Sequence, residues 1–204
     1  RGISAMIKEE KAVVLDFLPN GYPFDNTPSY KKDAIVQALG KDHLILLELV
    51  PKKDIALQPN DEVYIGEGKR DKIHHINGKL EMDKLTGTAE SVLKDVIKTS
   101  VETNQARFVE FFNKAGPLTT RMHQLELLPD VGKKHMWEII GARDEKPFEN
   151  FDDIKKRVKL MPDPEKAVIK RIMSELSGKE KHRIFVGSGS GERDENHSAD
   201  IRRH

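Results

Sequence analysis

The 204-residue chain contains no cysteine. Disulfide bonds and thiolate metal sites are therefore excluded, which fits a reducing, cytoplasmic setting. No apolar run comes near the ~20 residues of a membrane-spanning helix, so no membrane partner is expected. No secretory signal precedes the first expected strand. Charge of one sign is lacking as well: Lys and Arg number 35 against 34 Asp and Glu, a formal net charge of +1. A uniformly basic nucleic-acid coat is excluded, and any grip on a polyanion has to come from local patches. No His/Asp/Glu cluster has metal-ligand spacing, no Gly-rich loop matches a nucleotide P-loop, and no nucleophile–base pair stands at a workable spacing. The expectation is a protein without metal, cofactor or enzymatic activity.

What is present is charge of both signs, 34% of all residues. Such a surface suits ion-pair networks of the kind found in heat-adapted proteins. The length suits one large or two small domains with a core that needs no covalent staples. Arg1 to Ala5 read as a non-native leader ahead of Met6, and residues 187–204, which open on alternating Gly and Ser, read as a linker, tag or tail.

Residues 6–80 read as β. Strands are expected at 12–18, 34–39, 43–50 and 63–66, with a fifth from Ile73 to Ile76 broken by Asn77-Gly78. Five short strands in so few residues suggest a small closed barrel, OB-like in its Pro59-to-Gly66 phrase. Tyr22, Phe24 and Tyr30 lie in a loop between strands. On a barrel rim, Tyr22 and Tyr30 can stack on bases, whereas Phe24 is expected to plug the barrel end. Lys69, Arg70 and Lys72 are either a phosphate-following turn or a solvated hairpin tip. His74 and His75 are adjacent, so on a regular strand they would point to opposite faces.

From residue 81 the period becomes helical. Connecting helices are expected across 81–117, the first opening near Thr88 and the second capped by Thr103 or Asn104, ahead of a helical unit at 118–186. The fold class is therefore α+β. Within the helical unit, Leu125, Leu127 and Leu128 lead into Pro129-Asp130-Val131-Gly132, and Lys133-Lys134 begin a new helix with Met136, Trp137, Ile139 and Ile140 on its apolar face. A helix that starts after a glycine turn leaves its first amide N–H groups without partners and places the positive end of its dipole there. That makes an anion site. Gly132 lets a phosphate approach without a Cβ in the way, and Lys133, Lys134 and Arg121 add charge. Nothing there reads a base, so the device would grip a sugar-phosphate backbone. A plain αα-turn without ligand stays open.

Leu128-Pro129, Val131-Gly132-Lys133 and the downstream Phe148, Phe151 and Ile154 resemble a helix-hairpin-helix nucleic-acid-binding motif. Asp130 stands where that motif has glycine; it tolerates the left-handed backbone and could cap the following helix. Met161-Pro162-Asp163 echoes Leu128-Pro129-Asp130 and suggests a degenerate second hairpin, with Glu165 where the first has Gly132. The whole order, and above all Leu118 to Ile140, resembles an archaeal family of uncharacterised proteins predicted to bind RNA. The resemblance implies an OB-like barrel followed by a helix-hairpin-helix unit. It adds a binding class and no reaction.

The expected function is non-enzymatic nucleic-acid binding, RNA ahead of DNA. Val131, Gly132, Lys133, Lys134 and Arg121 form one contact, and Lys69, Arg70, Lys72, Tyr22 and Tyr30 a second. A protein-interaction adaptor built on a degenerate hairpin is the alternative, with a protein in place of the nucleic acid. Oligomeric state is left open.

Overall fold

The computed structural model describes residues 8–187; the leader at 1–5 and the tail from 188 onward lie outside the described residues. The strands are β1 (Lys11–Leu18), β2 (Ile35–Gly40), β3 (Leu46–Pro51), β4 (Glu62–Tyr64) and β5 (Ile73–Lys79). The α-helices are α1 (Gly87–Thr103), α2 (Gln105–Lys114), α3 (Lys133–Glu145), α4 (Phe151–Arg157) and α5 (Pro164–Leu176). This is the α+β class that the change of period at residue 81 predicts.

The sheet is antiparallel, in the order β4-β1-β2-β3-β5. It curls, but β4 and β5 are its two edges and do not pair. The expected closure is corrected to an open half-barrel. The Asn77-Gly78 break is corrected as well. Glu48 pairs with Gly78 and Leu49 with Ile76, so Asn77 bulges out and the strand continues. Gly78 accommodates this at φ 150°.

The alternation of β1 feeds two cores. Ala12 and Val14 are fully buried with Val36, Ala38, Leu49 and Ile73 inside the curl. A register shift between Val14 and Asp16 makes Leu15 an extra residue. Leu15 turns to the other face and joins the helical core with Leu39, Leu44 and Leu46. α1 lays Leu93, Val96, Ile97 and Val101 on that face, and α2 adds Phe108, Val109 and Phe112.

Polar groups pin the layers together. Gln37 is fully buried; its Nε2 donates to the Lys84 carbonyl at 2.9 Å and its Oε1 accepts the Thr86 N–H at 3.0 Å. Thr86, two residues before the expected start, caps α1 by accepting the Ala89 N–H and donates to Asp16 at 2.6 Å. At the other end, Glu175 is buried on α5. Its Oε1 accepts the N–H groups of Ile184, Phe185 and Val186 at 3.0, 3.1 and 3.1 Å, and its Oε2 accepts from Arg171 Nε at 3.0 Å. Phe185 then packs against Phe108 and Phe111, and the Gly187 N–H donates to the His43 carbonyl at 2.7 Å.

Candidate nucleic-acid interface

The segment before α3 is braced turn by turn. A bridge between Pro117 and His123 closes a loop in which Thr119 Oγ1 accepts the N–H groups of Arg121 and Met122 at 3.2 and 3.0 Å. His123 Nδ1 accepts the Leu125 N–H at 3.1 Å, and the Glu126 carboxylate accepts the His123 N–H at 2.8 Å. This is a reciprocal capping box. Burial, then the nearby Arg143 cation, pushes the His123 imidazole down, which favours the neutral ring that can accept. Arg143 itself donates to the Phe112 and Ala115 carbonyls at the end of α2, at 3.2 and 2.8 Å.

The helix expected before the turn is shorter than the leucine pattern implies. Gln124–Leu127 form a single turn of 3-10 helix, because Pro117 and the bridge at His123 leave no room for a longer run. Leu128 and Val131 are buried and anchor the turn, and Asp130 carries it through φ 61°. Asp130 does not cap α3. Gly132 occupies the N-cap position and has no side chain to offer. The first bond into the helix runs from the Met136 N–H to the Gly132 carbonyl at 3.0 Å. Among the described residues nothing accepts from the amides of Lys133, Lys134 or His135. A Cβ built on Gly132 would meet nothing within 4 Å. The corner is neither sealed nor self-capped.

The echo at Met161-Pro162-Asp163 behaves in the opposite way. Asp163 is itself the N-cap of α5, accepting the Glu165 and Lys166 N–H groups at 3.0 and 3.2 Å, and it pairs with Lys155 at 3.0 Å. Asp130 stands two residues ahead of its helix's N-cap, so the sequence echo does not carry over into equivalent backbone.

The structure brings Arg121, Val131, Gly132, Lys133 and Lys134 to one corner. Lys133 Nζ donates to the Arg121 carbonyl and pairs with Glu126, both at 3.0 Å, so it is a tethered cation rather than a mobile one. Among the described residues, Lys134 and the Arg121 side chain make no ion pair. The second set does not join this corner: no hydrogen bond, ion pair or ring contact links residues 69–72 to it among the described residues. Lys69 and Lys72 are exposed, whereas Arg70 is half-buried and donates through Nε to the Gly66 carbonyl at 2.8 Å.

The loop aromatics are exchanged relative to expectation. Phe24 plugs nothing and is 96% exposed, and Tyr30 is 82% exposed beside Lys31. Tyr22 is half-buried; its hydroxyl donates to Glu48 and accepts from Gln37 Nε2 at 3.3 Å. Tyr22 is therefore a brace of the sheet and not a stacking surface. Burial, then the bond to Glu48, pushes its phenol up to about 12. A folded value above the unfolded one stabilises the fold below pH about 10, and that contribution is lost as pH rises toward 12. Tyr22 is expected to ionise late in an ultraviolet phenolate titration, and Tyr22→Phe should remove that late step. A wild-type titration with no late step, or a late step that survives in Tyr22→Phe, would refute the assignment.

His74 and His75 also depart from expectation. Val50 pairs with His75 and Pro51 with Ile73, which leaves His74 as an unpaired bulge residue. The alternation is lost there, and the two rings meet with their Nδ1 atoms 2.7 Å apart.

Trp137, expected in the core, is 64% exposed. It follows Lys133 by four residues and Lys134 by three, which puts it on their face of α3, away from buried Met136 and Ile139. That spacing is the signal in the sequence that separates it from its apolar neighbours.

Among the described residues, no three His, Cys, Asp or Glu side chains are grouped to hold a metal ion, and no helix is long and apolar enough to cross a membrane. A cleft of about 780 Å³ lies where α1 meets β1 and β2, and two of its rim lysines are internally paired: Lys11 and Lys41 both bridge Glu62, at 3.4 and 2.6 Å.

The chain is similar to proteins of archaea. It is 44% identical over 180 residues to the uncharacterized protein MJ0038 of Methanocaldococcus jannaschii, covering 87% of this chain and 80% of that one. It is 42% identical to Af1531 of Archaeoglobus fulgidus, whose crystal structure matches with a TM-score of 0.77 over 87% of this chain and 99% of the other. The family model described as "Protein of unknown function (DUF655)" matches residues 8–187, that is, every residue from Lys8 to Gly187, and the chain belongs to that family.

Proposed function

We propose that this protein binds nucleic acid without chemical turnover and holds the phosphate backbone at the Val131–Lys134 corner. The single observation that carries this reading is the open start of α3, where unpartnered amides, the dipole's positive end and Lys134 converge on exposed Gly132. The buried anchors Leu128 and Val131 support a helix-hairpin-helix-like reading in which the first helix is reduced to one turn. The strand order, open between β4 and β5, is compatible with a partly open OB-like barrel, whose loops would offer Tyr30, Lys69 and Lys72 as a second contact. RNA is placed ahead of DNA partly on the resemblance to uncharacterised archaeal proteins predicted to bind RNA.

Titration with labelled single-stranded RNA at stepped salt concentrations tests this. Two or three phosphates held at the corner give a slope of log K against log salt of about −2. Binding that ignores salt, or no binding, refutes the proposal. A second reading, a protein-docking adaptor, is favoured by the exposure of Phe24 and of Leu160 at 86%. It predicts no affinity for any nucleic acid at low salt.

A further inference from the structure

The outward face of α3 carries a strip of exposed residues. Lys133, Lys134, Trp137 and Gly141 all lie on it, while Met136 and Ile139 face the core. Trp137 is the only tryptophan in the chain. In helices the long side chains lean toward the N-terminus, which directs Trp137 toward the turn that bears the two lysines. Four residues separate Lys133 from Trp137, about 6 Å along the axis. That is comparable to the span from phosphate to base within one nucleotide. One turn further on, Gly141 sits inside the helix, where glycine costs about 1 kcal/mol relative to alanine. A Cβ there would meet nothing within 4 Å, so the space beside the indole is open. Beyond it stand Asp144 and Glu145, both exposed. The strip is thus cationic at one end, where Glu126 holds Lys133 and Lys134 carries the charge, aromatic in the middle with half-buried Glu138 at its border, and anionic at the other end.

We infer that Trp137 stacks on an unpaired base of a single-stranded nucleic acid whose adjoining phosphate lies on Lys133 and Lys134. The inference rests on the function proposed above and narrows its ligand class. Charge complementarity selects this occupant: a polyanion is drawn to the lysine end and repelled from Asp144 and Glu145, so it crosses the helix near its start. Bases in a duplex are stacked on each other and offer no free face, whereas every base of a single strand does. The strip makes no sequence-specific demand, because stacking needs only a π-face.

The test uses the full chain and its single tryptophan as reporter. Single-stranded RNA, single-stranded DNA and an RNA duplex of the same length are titrated, with binding followed by anisotropy of the labelled oligonucleotide and stacking by indole emission. Both single strands are expected to quench the emission as they saturate, and the duplex is expected to leave it unchanged. Trp137→Ala should weaken single-strand binding about tenfold, and Trp137→Phe by less. Circular dichroism should be unchanged in both variants, since the indole is exposed. Saturable binding by anisotropy with unchanged emission, or equal affinity of Trp137→Ala and wild type, overturns the stacking inference and leaves the proposed function standing. Equal quenching by the duplex overturns the single-strand assignment. If no oligonucleotide binds at any salt concentration, the inference and the function beneath it fall together.

Discussion

Glu175→Ala is expected to lower the unfolding midpoint by on the order of 10 °C, the largest effect of any single change considered. The carboxylate is fully buried, with Arg171 beside it at 4% side-chain exposure. Three consecutive amides, those of Ile184, Phe185 and Val186, converge on one of its oxygens. Alanine would take this acceptor away from the three amides and leave the guanidinium short of a counter-charge. Breaking a buried pair from one side typically costs 3–5 kcal/mol, roughly. Glu180 remains on Arg171 at 3.0 Å and softens the loss. Glu175→Gln separates the two contributions. It keeps an oxygen for the amides but turns an NH2 toward Arg171, so it should fall between wild type and alanine. Differential scanning calorimetry decides, and a shift of only a few degrees for alanine would show that the strap at 184–186 is not held by this group. Arg171 also donates to the Leu127 carbonyl at 3.1 Å, so loosening of α5 reaches the turn beneath the candidate interface.

Gly132→Asp is expected to move stability and binding in opposite directions. Gly132 has φ −96° and ψ −171°, an extended conformation open to any residue, and open space where a side chain would go. Aspartate is among the best N-cap residues and would accept from the bare amides of α3. The helix gains a few tenths of a kcal/mol from the cap and a similar amount from the dipole, worth about 1–3 °C in midpoint. The same carboxylate occupies the place offered to a phosphate and repels it. Affinity for single-stranded RNA should fall at least about tenfold, equivalent to roughly 1.4 kcal/mol. The reverse change, Asp130→Gly, removes a nearby negative charge at φ 61° and should tighten binding. Fluorescence anisotropy alongside thermal melts reads both quantities. Unchanged affinity in Gly132→Asp would exclude the corner as a contact.

Much of the fold was legible because its signals are local. Short apolar runs bounded by turn residues set β1 and β2, and Asn104 marked the start of α2. Errors arose where a long-range partner decided the outcome. The extra residues at Leu15, His74 and Asn77 depend on the register of a neighbouring strand, which single-strand periodicity does not contain. Tyr22 and Phe24 sit two residues apart, and only the presence of Glu48 and Gln37 on the sheet determines which turns inward. At the candidate interface, the glycine, the lysines and the left-handed Asp130 were readable. The tether of Lys133 to Glu126 was not, because it depends on a braced 3-10 turn where the leucine pattern implies a longer helix. Trp137 is apolar but shares its side of α3 with Lys133 and Lys134, and composition alone does not separate it from Met136 and Ile139.

The irregular margin of β5 has a bearing on life at high concentration. An outermost strand ordinarily presents an unbroken ladder of donors and acceptors to any passing chain. Here two dislocations in one short strand, at His74 and Asn77, put that ladder out of step, and Lys72 and Lys79 stand at either end. A second molecule approaching along β5 would find no stretch long enough to zip against, and the opposite edge, β4, is only 3 residues long. Crowded solutions should therefore stay free of sheet-to-sheet polymers even though the half-barrel is left ajar.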